Sequence, residues 1–199
     1  MSLTDKAQAQ GGKPSGFVGT LVGLLMNRIH RNVHRWGLET TTVRDEWICL
    51  DIGCGGGRAV RDLGVQASKV YGVDHSEEMV NLAKRVNHHG IERGSVEIIA
   101  GTVSALPFPD EHFDLVTAFE TIQFWPSIGS DLLEVRRVLK PEGQLVVANR
   151  YPPENSKWTS MLNLKNEASY RDALASAGFR DISSDTESRG GWIRVVARS

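Results

Sequence analysis

The chain has 199 residues, 40% of them hydrophobic and 24% charged, and its formal net charge is −1. That length suits one domain with a sizeable core rather than two, and the composition is ordinary for a globular protein. A near-neutral balance provides no global field to draw the chain to nucleic acid or an anionic bilayer, so neither is expected as a partner.

Residues 1–16 are polar and Gly-rich, cannot bury enough apolar surface to offset chain entropy, and read as a disordered tail. The apolar run Phe17 to Met26 is shorter than the roughly 20 residues a bilayer crossing needs. Arg28, Arg31 and Arg35 follow that run instead of preceding it, which is the wrong order for a secretory leader. With only Cys49 and Cys54, which form neither a disulfide framework nor a CxxC motif, a reducing cytoplasmic setting is expected. Leu21, Leu24, Leu25, Ile29, Val33 and Trp36 recur at helical spacing, so Phe17 to Trp36 reads as a helix, and 17–40 as an N-terminal helical lid on a single domain spanning 17–199.

The chain then alternates. Trp47 to Ile52 reads as a buried strand, Gly56 to Leu63 as a short helix and Lys69 to Val73 as a second strand. A helix from Ser76 to about His88 has Ser76 as its cap and Glu77 and Glu78 against its N-terminal dipole. Val96 to Ala100 and Phe113 to Phe119 are the third and fourth strands. A helix from Ile128 to Leu139 is stopped by Lys140-Pro141 and turned by Glu142-Gly143, before a fifth strand from Gln144 to Ala148. A helix from about Asn166 to Ala177 ends at Gly178, and Phe179 to Ser183 and Trp192 to Ala197 form a closing antiparallel hairpin around Gly190-Gly191. Such alternation implies an α/β fold: a mostly parallel sheet with helices on both faces.

The chemistry concentrates where the first strand enters its helix, at Leu50-Asp51-Ile52-Gly53-Cys54-Gly55-Gly56-Gly57-Arg58. Backbone N–H groups there point into the crevice beyond the strand ends, and glycines allow close approach of a ligand. A dinucleotide fingerprint G-x-G-x-x-G fails, because its third glycine would fall at Arg58. The pattern present is D-x-G-x-G-x-G, and a leading carboxylate suits a ligand with an ammonium group while repelling a pyrophosphate. Asp74 follows Asp51 by 23 residues at the end of the second strand. That is near the spacing at which a carboxylate accepts from ribose hydroxyls; the plainer alternative is a helix N-cap beside Ser76.

These motifs, with Phe113-Asp114-Leu115-Val116-Thr117-Ala118-Phe119-Glu120 and Arg136-Arg137-Val138-Leu139-Lys140-Pro141-Glu142-Gly143, resemble the class I S-adenosylmethionine-dependent methyltransferases, in particular the ubiquinone/menaquinone-biosynthesis group. The resemblance covers about residues 47–149 and implies a Rossmann-like, mostly parallel seven-stranded sheet with a C-terminal antiparallel hairpin. It implies S-adenosyl-L-methionine as cofactor, S-adenosyl-L-homocysteine as product, and cofactor contacts from Asp51, Gly53, Cys54, Gly55, Asp74, His75, Met79, Thr102, Val103 and Phe119. Thr102 stands where the family often has an acidic residue, which shifts adenine recognition towards the Val103 backbone.

The acceptor side is less determined. Glu120, just past the fourth strand, is the candidate for contacting or deprotonating substrate; its plainer alternative is a carboxylate bonded to nearby backbone. Phe119, Phe124 and Trp125 either line the pocket, with π faces towards a cationic sulfur, or are simply core. His30 and His34 lie one helical turn apart, a spacing that permits metal binding, but two histidines without a third ligand are weak evidence for it, and they read as a substrate-contacting lid or a solvated basic face. A small-molecule acceptor is expected, on a monomer or homodimer. The alternatives are a protein or RNA methyltransferase and a non-catalytic cofactor-binding module. Phe119-Glu120-Thr121 is not the Asn/Asp-Pro-Pro-aromatic motif of amino-directed nucleic-acid enzymes, and Tyr151-Pro152-Pro153 follows the wrong strand.

Overall fold

All seven expected strands are present in the computed structural model, which describes residues 31–151, 162–187 and 191–199. They are β1 (Ile48–Ile52), β2 (Lys69–Asp74), β3 (Val96–Ala100), β4 (Phe113–Phe119), β5 (Leu139–Arg150), β6 (Arg180–Glu187) and β7 (Trp192–Arg198). They form one sheet in the order β3-β2-β1-β4-β5-β7-β6. The first five run parallel, and β7 lies antiparallel between β5 and β6. The tail at 1–16, the helix start before Arg31, His30, Gly190 and the stretch 152–161 lie outside the described residues.

Strand alternation divides the apolar side chains between two layers. Cys49, Leu115, Val146 and Ala148 face one side. There they meet α1 (Arg31–Leu38) through Val33, α2 (Arg58–Leu63) through Val60 and Leu63, and α3 (Glu77–Val86) through Val80 and Ala83. Leu50, Val116, Leu145 and Val147 face the other side, against Leu132 and Val135 of α5 (Ile128–Val138) and Tyr170 and Leu174 of α6 (Glu167–Ser176). Inner strands buried on both faces explain why they read as continuous apolar runs.

Three local features depart from the sequence reading. The helix expected over Ser76 to His88 breaks at Asn87, and a separate α4 (His88–Glu92) follows. Asn87 is buried, and its Nδ2 donates to the carbonyls of Gly57 and Ala83 at 2.9 Å each, so the break ties the glycine loop to α3. Ser76 makes no side-chain cap hydrogen bond; its backbone N–H instead donates to Asp74 Oδ1 at 2.9 Å. The turn at Lys140 to Gly143 interrupts the pairing of β4 with β5 without ending the strand. Leu139 pairs with Phe113 and Gln144 with Leu115, and Glu142 adopts a positive φ of 66°. Lys140 Nζ reaches both Asp114 oxygens at 2.8 Å, and Asp114 also accepts from Ile48 N–H.

The helix α1 is fastened to the C-terminal hairpin by a buried arginine. Arg194 donates to the Trp36 carbonyl at 2.6 Å and to Asp185 Oδ2 at 2.8 Å, with its guanidinium 4.6 Å from the centre of the Trp36 ring. Trp36 carbonyl belongs to the last turn of α1, where the helix dipole favours a cation.

Candidate active site

The strand order places the site. From β1 the chain moves outward through β2 to β3, then returns to β4 on the other flank of β1. In open α/β sheets ligands bind beyond the carboxyl ends of strands at such a switch point. Here those ends carry Gly53 to Gly57 after β1 and Glu120-Thr121 after β4.

The glycine loop is shaped by contacts that a side chain would obstruct. Gly53 and Cys54 donate their N–H groups to the Val73 carbonyl at 2.8 and 3.0 Å, binding the loop to the end of β2. Gly53 has φ +68°, and a Cβ there would lie 2.1 Å from Thr121 Oγ1. Gly57 is packed against Asn87 and Ala83, so its role is to seat α2 against α3. Gly55 differs: φ is +51°, but a Cβ would meet nothing within 4 Å, so its outer face is open to a ligand.

Two carboxylates flank this opening. Asp51 is buried in β1 and accepts from Thr117 Oγ1 at 2.6 Å, its register partner in β4. Burial pushes its pKa up to about 7; the Thr117 hydrogen bond opposes that, and the Asp74 charge adds to it. Asp74, only 6% exposed, accepts from Gly55 N–H on Oδ2 at 2.8 Å and from Ser76 N–H on Oδ1. Each Asp74 oxygen retains a lone pair, as a vicinal diol requires. Among the described residues no Lys or Arg forms an ion pair with either carboxylate, and His75 Nδ1 lies 3.7 Å from Asp74 Oδ1. Adjacent buried carboxylates are costly unless paired, so the pocket's chemistry suits a cationic ligand. S-adenosylmethionine, with its sulfonium, ammonium and ribose diol, fits that donor and acceptor set.

The other expected contacts are placed as follows. His75 is partly exposed next to Asp74, and Met79 is buried on the first turn of α3. Thr102 is exposed and forms an isolated bridge to Ala105, while Val103 is buried in the core layer that includes Val73 and Leu106. Cys54 is buried, and burial with Asp74 and Asp51 nearby raises its thiol pKa, so it is no nucleophile. Cys49 is raised to about 12 by burial and is equally inert. Phe119 is committed to the layer beneath α1, stacked on His34 with ring centres 5.3 Å apart. Phe124 is exposed and Trp125 buried, so the aromatics after β4 divide between rim and core. No cluster of three metal-ligating side chains occurs among the described residues.

Glu120 adopts φ +57°, a left-handed conformation that is strained for a residue with a Cβ. Its N–H donates to the Ala148 carbonyl at 2.9 Å, and its carboxylate accepts the backbone N–H of Arg150. Burial raises its pKa to about 7 against the lowering effects of the Arg150 charge and that hydrogen bond. Sequence reasoning missed Thr117 and Thr121, which contact Asp51 and crowd Gly53, and the pair Asn149 and Tyr170, joined by Asn149 Nδ2 donating to Tyr170 Oη at 2.9 Å. A period of two along β4 places Thr117 on the face shared with Phe119, but only the β1–β4 register shows that it meets Asp51.

Comparison with known proteins agrees with this geometry. A family model described as a methyltransferase domain matches residues 50–147. The uncharacterized methyltransferase YcgJ of Bacillus subtilis (strain 168) is 32% identical over 130 residues, covering 65% of this chain and 51% of that protein. The ubiquinone/menaquinone biosynthesis C-methyltransferase UbiE of Pseudomonas entomophila (strain L48) is 31% identical over 173 residues, covering 83% of this chain and 64% of that protein. The chain thus spans about half the length of the first relative and under two thirds of the second. A solved structure of a SAM-dependent methyltransferase from Aquifex aeolicus has a TM-score of 0.74 at 22% identity, covering 90% of this chain and 97% of that one, a likeness of fold. Matching motifs, sheet order and a pocket suited to a cationic nucleoside together show that the chain belongs to the class I S-adenosylmethionine-dependent methyltransferases.

Proposed function

We propose that the protein transfers a methyl group to a small-molecule acceptor by in-line displacement, with Glu120 on the acceptor side. The observation that carries this reading is a division of acids at the switch point. Asp51 and Asp74 border the open face of Gly55, while Glu120 lies separately, past β4, in a strained and half-buried position. Bound S-adenosylmethionine supplies an activated methyl group there. The loop Asp51, Gly53, Cys54 and Gly55 would hold its amino-acid end, Asp74 its ribose, and His75, Met79, Thr102 and Val103 its adenine, with Phe119 behind the layer of the site.

Since the methyl group arrives activated, the chain's own task is alignment, exclusion of water and removal of an acceptor proton where one is present. A carboxyl group poised at about 7 is matched to that proton transfer at neutral pH. Three buried or half-buried acids around the crevice disfavour a polyanionic acceptor, which supports a small molecule over RNA. The relative named for ubiquinone/menaquinone biosynthesis supports the same choice. Two buried free cysteines suit a reducing cytoplasm, and no helix of the described residues is long and apolar enough to cross a membrane.

The test is transfer of labelled methyl from S-adenosylmethionine into a cell extract, fractionated into metabolites, protein and RNA, with Asp74→Ala as control. Label in metabolites that disappears in the control is the expected result. Label in protein or RNA would overturn the small-molecule acceptor. Cofactor binding without any transfer would favour a non-catalytic module.

A further inference from the structure

The two acids beside the glycine loop are held in different ways. Asp74 receives a backbone N–H on each oxygen, from Gly55 and from Ser76, and both contacts favour a carboxylate. Asp51, 2% exposed, has only the Thr117 hydroxyl, 2.6 Å from Oδ1, and among the described residues no donor reaches its Oδ2. Thr117 has a second partner, because its Oγ1 also lies 3.4 Å from the Leu50 carbonyl oxygen. A hydroxyl has one proton and two lone pairs, so it can donate to only one of these at a time. Both contacts are hydrogen bonds together only if the Asp51 carboxyl carries a proton. Asp51 then donates to Thr117 Oγ1, and Thr117 donates to Leu50. With Asp51 ionised, Thr117 turns its proton to Oδ1 instead.

The surroundings of Asp51 contain no cation paired with it. Asp74 from the end of β2 and the Cys54 thiol from the glycine loop are the titratable groups coupled to it, and the Asp74 charge opposes its ionisation. His75 Nδ1 lies 3.7 Å from Asp74 Oδ1, and His34 of α1 is stacked on Phe119. Arg58 of α2 is paired with Asp62 at 2.9 Å, and β4 contributes the uncharged Thr117. Burial raises the Asp51 pKa to about 7, against the Thr117 hydrogen bond and with the Asp74 charge. A buried charge without a partner is costly, and a proton removes it.

We propose that Asp51 is a neutral acid in the cofactor-free protein and ionises as the cofactor's ammonium group enters, with Thr117 the positioning residue for both states. The inference rests on the reading that Asp51 meets the amino-acid end of S-adenosylmethionine. In this step the O–H bond of the Asp51 carboxyl breaks and its electron pair stays on the oxygen. The proton passes to water over the open face of Gly55. Thr117 exchanges Leu50 for Asp51 as its acceptor, so the new charge has a donor already in place. A ligand that prefers the ionised acid lowers its pKa, so binding below that pKa releases a proton. Affinity therefore rises with pH, by up to about tenfold per unit, and levels off above neutrality.

The test is a pH titration of the aspartate side-chain carboxyls by carbon-13 NMR on the full chain, with and without saturating S-adenosylmethionine. Asp51 is assigned by the signal lost in Asp51→Asn. The cofactor-free midpoint should lie at about 7, and the loaded one should be lower by about 1–3. Thr117→Val removes the donor to the ionised form, so it should raise the loaded midpoint by about 1 and weaken binding on the acid side of neutrality. Thr117→Ser should restore both. A merely structural Thr117 would lower the melting temperature in Thr117→Val and leave the midpoints in place. A cofactor-free midpoint near the ordinary 3.8, or one midpoint with and without cofactor, overturns the inference. That comparison uses the wild-type chain, so it stands even if Thr117→Val folds poorly. Cofactor that fails to bind at any pH overturns the reading of the site and the inference with it. Binding with an unmoved midpoint counts against the proton linkage alone.

Discussion

Replacing Asp51 by Asn should make the cofactor-free protein more stable while abolishing tight cofactor binding. Asp51 is 2% exposed, and its carboxyl is raised from an ordinary 3.8 to about 7, chiefly by burial. An acid harder to ionise when folded than when unfolded makes stability fall as pH rises from about 4 to about 7, then level off. Moving the carboxyl over that range corresponds to at most about 4 kcal/mol above pH 7, chiefly the cost of charging a buried carboxyl. Asparagine keeps the shape, and its carbonyl oxygen can still accept from Thr117 Oγ1. The expected gain is about 2–4 kcal/mol at pH 8, vanishing towards pH 4. Urea melts of wild type and Asp51→Asn at several pH values measure it, and calorimetric titration with S-adenosylmethionine measures the binding. A variant less stable than wild type at pH 8, or a difference that does not shrink on acidification, would refute the assignment of burial as the cause.

Gly53→Ala should cost about 2–5 kcal/mol, from a left-handed φ and the overlap with Thr121, and Thr121→Gly in the same chain should recover the overlap part in a double-mutant cycle. Arg194→Ala removes a charge-assisted hydrogen bond to the Trp36 carbonyl and should cost about 1.5–3 kcal/mol. Hydrogen exchange of the Arg31–Leu38 amides should accelerate in that variant while the amides of β1 and β4 keep their protection; equal acceleration everywhere would mean α1 is not separately fastened.

The order of elements was legible because it depends on local pattern. Apolar runs too short for helices, followed by glycines and then amphipathic segments, can hardly be read otherwise, and β3 and β4 fall where periodicity puts them. The glycine loop was legible for a similar reason: left-handed turns and open backbone demand glycine, and Gly53, Gly55 and Gly57 all have positive φ. The three glycines nonetheless have three different tasks, which their spacing does not distinguish. One clears Thr121, one faces open space and one seats α2 against α3.

What the sequence determined by itself is therefore the architecture, the family and the two acids that border its glycine loop. Only the tertiary structure decided what those acids meet. Parallel pairing of β1 with β4 brings Thr117 against Asp51, 66 residues apart in the chain, and β5 with α6 joins Asn149 to Tyr170 beside Glu120. It also decided that Phe119 packs under α1 against His34, although an aromatic at the end of β4 reads equally well as pocket or core. Side-chain partners across a sheet are set by register and burial, which are properties of the assembled chain, and no local pattern encodes them.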